Sequence, residues 1–313
     1  MRLRPPKSRS RERRVVRERD VTTEVSAELA ALSAGAEATQ ALAAFRRDYP
    51  SRTLEMEGVT WAYRVGGAGG RPLLLLPGLQ GAGEAAFELA EHFARTRRFI
   101  APSYPAEATS MQALVRGTTA IVEAEGGGAV HVRGASFGGL VAQWLVRQAP
   151  HVVHSLILSH TGAPNPESAR ANRRVLTMLR LMPAPWVSAL MRATSERALA
   201  PLADARREFW RAANNDLLRQ FTKRAVIARY RAAVDFDLQS RFSPGDLTGW
   251  PGRLLILEGE DDPLVEADTR AALRALYPQA QIHTFHGAGH AAAMADVPGY
   301  VRVIEQWLAE GGD

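Results

Sequence analysis

The sequence contains no cysteine, and this absence narrows the chemistry that the chain can perform. Disulfide bonds, thiolate metal ligands and a cysteine nucleophile are all excluded, and a reducing compartment is compatible with the composition. No apolar run approaches the roughly 20 residues that a helix needs to span a bilayer. No apolar segment of the secretory type follows the basic N-terminus either. We therefore expect no transmembrane segment and a cytoplasmic location.

Excess charge is also absent from most of the chain, although the net charge is +6. Residues 1–20 hold nine Lys and Arg against three Asp and Glu, and the rest of the chain holds 30 of each sign. We interpret residues 1–22 as a basic, disordered arm. Such an arm makes at most weak contact with nucleic acid or anionic lipid, and the neutral body predicts no nucleic-acid partner.

The order of the predicted elements indicates an α/β fold with a mostly parallel sheet covered by helices on both faces. Short apolar runs such as Leu73–Leu76, typical of strands buried on both faces, alternate with helical patterns. Residues 164–245 interrupt this alternation with several helical patterns and no convincing strand. We predict four units: the arm, a helical segment at 23–50, an α/β core at 51–163 and 246–313, and a helical lid at 164–245. In the helical segment, five apolar residues are spaced for one buried face: Val25, Leu29, Leu32, Leu42 and Phe45.

A G-x-S-x-G motif at Gly134–Gly138 carries the strongest chemical signal. It follows a strand pattern and opens a helical one, which is the context that a nucleophilic serine requires. A sharp strand-to-helix turn strains the backbone and exposes the serine hydroxyl, and the glycines leave room for the neighbouring chain. The helix N-terminus also favours negative charge on a developing oxyanion. The motif predicts Ser136 as the nucleophile.

A serine nucleophile needs a base, and the base needs an orienting carboxylate, in the chain order serine, acid, histidine. Four acids follow the predicted strand at 254–257: Glu258, Glu260, Asp261 and Asp262. Asp262 lies three residues beyond the turn at Gly259 and directly before Pro263, so we predict it as the acid, with Asp261 as the alternative.

Of the eight histidines, His290 is best placed to act as the base. It follows the predicted strand at 282–285 and lies between Gly289 and three alanines, which gives its side chain room to reach Ser136. His131 alternates with apolar residues and is interpreted as structural, whereas His286 shares the loop of His290.

Taken together, these residues resemble the α/β-hydrolase superfamily from Gly58 to the C-terminus. The stretches Gly134–Gly139, Ser155–Leu158 and Leu76–Leu79 resemble its maspardin-like branch more closely. The resemblance implies an α/β-hydrolase fold with a helical lid insertion.

The resemblance also implies an oxyanion hole built from the backbone N–H groups of Leu79 and Phe137. Pro77 stands where many members of the superfamily have a histidine. Because the two donors are backbone groups, this difference need not remove them.

These residues predict a serine hydrolase that cleaves a carboxylic ester through an acyl-Ser136 intermediate, with an amide or a lactone as alternative substrates. We expect no cofactor and no metal, since the histidines and carboxylates lack a zinc-protease spacing. The alternative is a non-catalytic adaptor, because maspardin-like proteins are regarded as binding proteins with an incomplete catalytic set. The presence of His290 in the expected loop favours catalysis.

The substrate pocket is predicted from the apolar stretch at 175–191 and from His160 at the end of a strand. Met182 and Trp186 in this stretch either line an acyl pocket or pack the lid onto the body. If these residues line an acyl pocket, the substrate is a small, uncharged ester with an apolar acyl group of short to medium length.

Overall fold

A computed structural model of the chain describes residues 18–126 and 128–312. Within them, eight strands form one sheet: β1 (Arg52–Met56), β2 (Val59–Gly66), β3 (Leu73–Leu76), β4 (Phe99–Pro102), β5 (Val130–Ala135), β6 (Val153–Ser159), β7 (Leu254–Gly259) and β8 (Gln281–Phe285). The strand order is β1-β2-β4-β3-β5-β6-β7-β8. The two N-terminal strands are antiparallel to their neighbours, and all other pairs are parallel. The predicted α/β class is therefore confirmed.

The described part of the chain also contains the following helices: α1 (Glu18–Asp48), α2 (Phe87–Phe93), α3 (Met111–Ala124), α4 (Phe137–Gln148), α5 (Pro166–Leu181), α6 (Ala184–Leu199), α7 (Asp204–Gln220), α8 (Lys223–Gln239), α9 (Ala267–Leu276), α10 (Ala292–Ala295) and α11 (Val297–Ala309). Helices α5 to α8 all lie between β6 and β7, and residues 164–245 contain no strand. No helix in the described ranges is both long and apolar enough to cross a bilayer.

The central strand β3 shows how the sheet buries both of its faces. Leu74 and Leu76 belong to an apolar cluster on one face, whereas Leu73 and Leu75 belong to a second cluster on the other face. Successive side chains of a strand point to opposite faces, so an unbroken run of leucines fits only a strand that is covered on both sides.

Helix α1 packs against α7 through small and apolar residues. Its buried positions are Ala34, Ala38, Leu42 and Phe45, and a β-carbon built on Gly35 would lie 3.7 Å from Cβ of Ala212. The prediction for Leu32 is wrong, because its side chain is 67% exposed. Ala34 and Ala38 continue the buried face in its place. The helix begins at Glu18, inside the predicted arm, and residues 1–17 of that arm lie outside the described residues.

Helices α5 to α8 have an apolar cluster of their own. Its buried members are Leu179, Val187, Met191, Leu218, Phe221 and Val226. Leu79, in the loop after β3, packs against this cluster. The insertion therefore rests on the loop that follows a central strand, at the carboxyl edge of the parallel sheet, where ligands bind in folds of this kind.

Candidate active site

Ser136 occupies the turn between β5 and α4 with a left-handed backbone, at φ 50° and ψ −118°. A non-glycine residue in such a conformation is strained and needs support from its surroundings. Two hydrogen bonds provide it: the Ser136 amide donates to the Ser159 carbonyl over 2.9 Å, and the Thr161 hydroxyl donates to the Ser136 carbonyl over 2.8 Å. The backbone of the turn is thus fixed from β6.

The glycines of the motif are required by close backbone contacts. A β-carbon built on Gly134 would lie 2.4 Å from the carbonyl oxygen of Gly138. A β-carbon on Gly138 would lie 2.5 Å from the carbonyl oxygen of Leu76 and 2.6 Å from that of Pro77. These distances are far shorter than a van der Waals contact, and the backbone on each side has little freedom to move. Glycine at these two positions lets α4 approach β3 and β5 closely enough to form the turn.

Asp262 and His290 form a buried hydrogen-bonded pair. His290 Nδ1 lies 2.8 Å from Oδ2 of Asp262, and the Asp262 side chain is fully buried. The other carboxylate oxygen, Oδ1, accepts from the amides of Leu264 at 2.8 Å and Val265 at 3.0 Å. The loop after β7 therefore fixes the carboxylate, and the carboxylate fixes the imidazole.

The electrostatics of this pair keep the carboxylate ionised. Burial by itself raises the pKa of Asp262, but the hydrogen bond and the positive charge of His290 oppose that effect. The amides of Leu264 and Val265 add to this opposition, and the pKa of Asp262 lies below its ordinary value as a result. An ionised Asp262 accepts a hydrogen bond from Nδ1–H, which leaves Nε2 of His290 as the basic nitrogen.

The neighbouring acid, Asp261, has a different partner. Its Oδ1 accepts from the amide of Gly289 at 3.0 Å, so it binds the backbone of the histidine loop and not the imidazole. Glu258, the nearest acid to the strand, is buried and forms an ion pair with Arg274 of α9. Of the acids in this loop, Asp262 is the one in contact with the ring of His290.

Two of the remaining histidines have structural contacts. His131 is buried on β5, and its Nδ1 lies 2.7 Å from the Ser155 hydroxyl. His286 is exposed, and its Nδ1 lies 2.7 Å from Oε2 of Glu260. Both are therefore engaged away from Ser136, unlike His290.

A buried chain of hydrogen bonds ends at His160. Nε and Nη2 of Arg133 donate to the Tyr300 hydroxyl at 3.1 and 3.0 Å, and this hydroxyl donates to Ser159 Oγ at 2.7 Å. Ser159 Oγ lies 3.0 Å from His160 Nδ1. The Ser159 hydroxyl has two acceptor lone pairs and one proton, so it can bond both Tyr300 and the imidazole. The sequence motifs gave no signal of this network.

Burial keeps His160 neutral. Burial lowers the pKa of His160 to about 3, and the neighbouring charge of His290 acts in the same direction. Its backbone is left-handed, with φ 49°, and its side chain is 5% exposed. His160 is therefore a neutral, rigidly held ring at neutral pH.

Ser136, His160 and His290 line one cavity of about 260 Å³ between the carboxyl edge of the sheet and helices α6 and α7. No hydrogen bond joins the Ser136 hydroxyl to His290 in the described ranges. Apolar side chains form much of the remaining wall: Leu79, Leu89, Met191, Leu199, Trp210, Leu218, Phe221, Leu264 and Met294.

Two predicted pocket residues do not line this cavity. Trp186 is 66% exposed on the outer surface, and Met182 packs against the apolar cluster of the insertion. Both lie near the corner between α5 and α6, whereas the cavity wall begins at Met191, more than a turn further along α6. This corrects the expectation for Met182 and Trp186. The periodicity of residues 175–191 could not distinguish the inner from the outer side of an insertion whose placement was unknown.

A group of uncharged polar side chains also lines the cavity. Asn214 is buried on α7; its Nδ2 donates to Ser195 Oγ at 2.9 Å, and its Oδ1 accepts from Gln80 Nε2 at 3.4 Å. Glu88, the acid in the wall, forms a two-pronged ion pair with Arg206 at 3.0 and 2.8 Å. The cavity therefore combines apolar walls with hydrogen-bonding groups and a neutralised acid.

The loop after β3 brings the backbone amide of Leu79 near the turn that holds Ser136. A β-carbon built on Gly78 would lie 3.8 Å from Cβ of Ser136, so the following residue, Leu79, lies beside the nucleophile turn. Phe137 is the first residue of α4, and the first amides of a helix have no partner within the helix. The positions of Leu79 and Phe137 are thus compatible with two amides that face the same oxygen.

No three His, Asp or Glu side chains are grouped as a metal site in residues 18–126 and 128–312. A wider surface concavity of about 870 Å³ lies at the amino ends of β5, β6 and β7, near Ala129, Val153 and Gly252. It lies at the opposite edge of the sheet from Ser136, so the smaller cavity is the candidate active site.

Comparison with known proteins identifies the family to which the chain belongs. A sequence model described as the alpha/beta hydrolase fold matches residues 71–296, well over half of the chain. One similar curated protein is the "Putative carbamate hydrolase RutD" of Stutzerimonas stutzeri (strain A1501), which is 26% identical over 195 residues. That match spans 58% of this chain and 66% of the relative, slightly less than two thirds of its length.

Solved structures share the architecture at low sequence identity. A thermophilic esterase from Thermogutta terrifontis aligns with a TM-score of 0.67 at 21% identity, covering 84% of this chain and 98% of the esterase. A hydrolase from Pseudomonas aeruginosa PA01 aligns with a TM-score of 0.69 at 20% identity, covering 83% and 98%. The "Putative non-heme bromoperoxidase BpoC" from Mycobacterium tuberculosis H37Rv aligns with a TM-score of 0.65 at 19% identity, covering 80% and 96%. These names cover different reactions, so the likeness establishes the fold and leaves the reaction to the site.

Proposed function

The chain belongs to the α/β-hydrolase fold family, and from this membership we propose that it is a serine hydrolase that cleaves a carboxylic ester through an acyl-Ser136 intermediate. The observation that carries the proposal is the arrangement of two features around one cavity: a serine on a strained strand-to-helix turn, and a histidine held by a buried carboxylate. Either feature alone has structural explanations, whereas the combination is what acyl transfer through serine requires.

In this mechanism His290 Nε2 accepts the proton of Ser136 as Oγ attacks the ester carbonyl carbon. The carbonyl oxygen becomes an oxyanion, which the amides of Leu79 and Phe137 stabilise together with the N-terminus of α4. When the tetrahedral intermediate collapses, the C–O bond to the alcohol breaks and His290 returns the proton to the leaving oxygen. A water molecule then repeats the sequence on the acyl-serine, with His290 as its base.

Asp262 serves this mechanism without changing its own protonation. Its hydrogen bond to Nδ1 keeps the basic nitrogen of His290 directed into the cavity, and its negative charge stabilises the imidazolium that forms in each step. The low pKa of Asp262 supports this role, because a protonated carboxyl would not stabilise a positive ring.

The substrate class is proposed from the cavity wall. A volume of about 260 Å³ and a largely apolar lining suit a small, uncharged ester with an apolar acyl group. An amide or a lactone would use the same residues. Helices α6 and α7 form the wall opposite the strand ends, so we propose that residues 164–245 act as the lid of this pocket.

A non-catalytic adaptor of the maspardin-like type is the alternative. The His290–Asp262 pair on the same cavity as Ser136 speaks against it, because an adaptor has no need for a base and an orienting acid there. The maspardin-like branch and the cytoplasmic location stay predictions from the sequence.

The proposal is tested by hydrolysis of p-nitrophenyl butyrate. We expect turnover by the parent chain, and for Ser136→Ala a rate indistinguishable from the uncatalysed reaction, with unchanged thermal unfolding. Ser188→Ala is the matched control, because the Ser188 hydroxyl on α6 bonds the carbonyl of Ala184 and the residue does not line the cavity. Equal rates for the parent and Ser136→Ala would refute the acyl-serine mechanism.

A further inference from the structure

An exposed apolar segment joins α5 to α6, and the proposed reaction makes no use of it. Residues 181–186, which we call the apolar corner, read Leu-Met-Pro-Ala-Pro-Trp, and only Met182 among them is partly buried. Leu181 is 82% exposed and Trp186 is 66% exposed. Met178, one turn before the corner, is 43% exposed. An apolar cluster of this kind on a protein surface marks an interaction site.

The sequence explains why the corner projects from the surface. Pro183 disfavours a helical conformation at Met182, whose backbone is extended at φ −69° and ψ 142°, so α5 ends at Leu181. Pro183 and Pro185 then flank the start of α6, where proline is tolerated. The two prolines limit the conformations of the corner, which keeps Leu181 and Trp186 presented to solvent without a large loss of entropy on binding.

Basic residues line the helix that ends at the corner. Helix α5 carries Arg170, Arg173, Arg174 and Arg180, all exposed, and none of them forms an ion pair within the described ranges. Arg170, Arg174 and Leu181 are spaced by four and seven residues, which places them on one helix face. Lys223 of α8 donates to the carbonyl oxygens of Arg180 and Met182 at 2.9 and 2.6 Å, which adds a further positive charge at the corner.

The charge of the insertion as a whole has the same sign. Residues 164–245 contain fifteen Lys and Arg against seven Asp and Glu, a net charge of +8. Three of these acids form ion pairs with arginines outside α5: Glu196 and Glu208 pair with Arg211, and Asp216 pairs with Arg46. Helix α5 itself carries four arginines against Glu167, a net charge of +3, so the helix that ends at the apolar corner is positive.

We propose that the apolar corner and the arginine face of α5 form a docking surface for an anionic lipid bilayer. Leucine and tryptophan enter the boundary between headgroups and acyl chains, while arginines on the adjoining helix face remain at the level of the lipid phosphates. Each arginine near an anionic leaflet contributes favourable energy that salt screens. Exposed apolar side chains next to unpaired arginines fit a negatively charged bilayer surface, which accepts both kinds of side chain at once.

The position of the corner links this surface to the cavity. Helix α6 begins at the corner and reaches the cavity wall at Met191 and Thr194. Thr194 lies eight positions after Trp186, which is about 12 Å along a helix. A docked chain would therefore hold its cavity within a short distance of the bilayer. The inference does not depend on the proposed reaction, since docking is measured without turnover.

Co-sedimentation of the full chain with lipid vesicles tests the proposal. We expect binding to vesicles of phosphatidylcholine mixed with phosphatidylglycerol, weak binding to phosphatidylcholine alone, and weaker binding as salt rises. The double variant L181S/W186S is expected to lose binding by at least about tenfold, because two apolar anchors are removed. The double variant R170E/R174E is expected to lose binding to the mixed vesicles and to become less sensitive to salt.

Two matched substitutions control for general surface effects. Leu32→Ser removes an apolar side chain of similar exposure from α1, and Arg302→Glu reverses an exposed charge on α11; both should bind as the parent does. Unchanged binding by both double variants would overturn the proposal and assign the affinity to another basic segment, such as residues 1–17. Equal binding to both vesicle types, or self-association that L181S/W186S abolishes in the absence of lipid, would also overturn it.

Discussion

His160 and His290 pack edge to face, with ring centroids 5.7 Å apart and planes at 80°. The two rings have unlike surroundings: His290 faces the carboxylate of Asp262, whereas Nδ1 of His160 lies beside the Ser159 hydroxyl at the end of a buried hydrogen-bond chain. One ring can therefore exchange protons during a reaction while the other stays neutral. This difference leads to the first prediction.

The stability of the fold should fall on acidification because of His160. The unfolded chain binds a proton at this histidine near its ordinary pKa of 6.5, whereas the folded chain binds it only near pH 3. The stability is fully present above pH 6.5 and is lost as the pH falls toward 3, by about 1.4 kcal/mol per pH unit. His160→Asn keeps a polar side chain that tolerates the left-handed backbone and removes this slope. Urea unfolding between pH 7 and pH 5 measures it.

Comparison of the parent with His160→Asn isolates this effect from other groups. The charged groups that influence His160 are His290, Asp262 and Arg133, and all are kept in the variant. Burial raises the pKa of Asp237 to about 6, and this affects the pH dependence of folding in the opposite direction. The contribution of Asp237 to stability is present below the pKa of the unfolded chain and is lost as the pH rises through 6. Asp237 is also kept in both chains. Parallel stability profiles for the two chains would contradict the assignment to His160.

Gly138→Ala should destabilise the fold itself. The added β-carbon would lie 2.5 Å from a backbone oxygen of β3, and its neighbours are too tightly packed to move without loss. We expect a loss of about 3 kcal/mol in the free energy of unfolding. Gly249→Ala is the matched control, because a β-carbon there meets nothing within 4 Å, and its effect should stay within about 0.5 kcal/mol. Similar thermal unfolding of both variants would show that the close approach of α4 to β3 is not required.

Asp262→Asn and Asp261→Asn should have very different effects on turnover. An amide at position 262 no longer holds Nδ1–H of His290 as an ionised carboxylate does, and we expect kcat to fall on the order of 10⁴-fold. An amide at position 261 retains an oxygen that can accept from Gly289, so its effect should be under about tenfold. The measurement is kcat for one ester with both variants. A larger loss for Asp261→Asn would move the role of the acid to that residue.

Met191→Ala should shift the acyl-chain preference, because Met191 lines the cavity. The shorter side chain leaves room for a longer acyl group, and each added methylene that is buried contributes about 0.8 kcal/mol. We expect the optimum in a series of p-nitrophenyl esters from acetate to decanoate to move to a longer chain. Met182→Ala is the control and should leave it unmoved, since Met182 lies outside the cavity. Ratios of kcat/KM between esters cancel differences in folded fraction between variants. The same optimum in all three chains would remove Met191 from the acyl pocket.

The elements of the sheet could be predicted from the sequence because they depend on local patterns. An unbroken leucine run allowed only a strand buried on both faces, and β3 is such a strand. The glycines around Ser136 predicted a tight strand-to-helix turn, which the backbone at φ 50° has. The carboxyl edge of a parallel sheet then accounts for the proximity of residues as distant in the chain as Ser136 and His290.

The pocket wall and the buried network could not be predicted, because they depend on how distant segments pack. Helix periodicity identified residues 175–191 as amphipathic, but it carries no information on which side meets the cavity, so Met182 and Trp186 were misplaced. The link from Arg133 through Tyr300 to Ser159 joins β5, α11 and β6, and no sequence motif records it. The exposure of Leu32 similarly reflects α7, which covers a neighbouring face of α1.

Reaction with a fluorophosphonate probe, followed by peptide mass spectrometry, identifies the serine that acts as the nucleophile. The probe forms a stable bond only with a serine whose proton a neighbouring base removes, so labelling reports the activated nucleophile without the need for a substrate. We expect one labelled site, at Ser136, with labelling lost in Ser136→Ala and strongly slowed in His290→Ala. An unlabelled parent chain, or a label on another serine, would contradict this assignment.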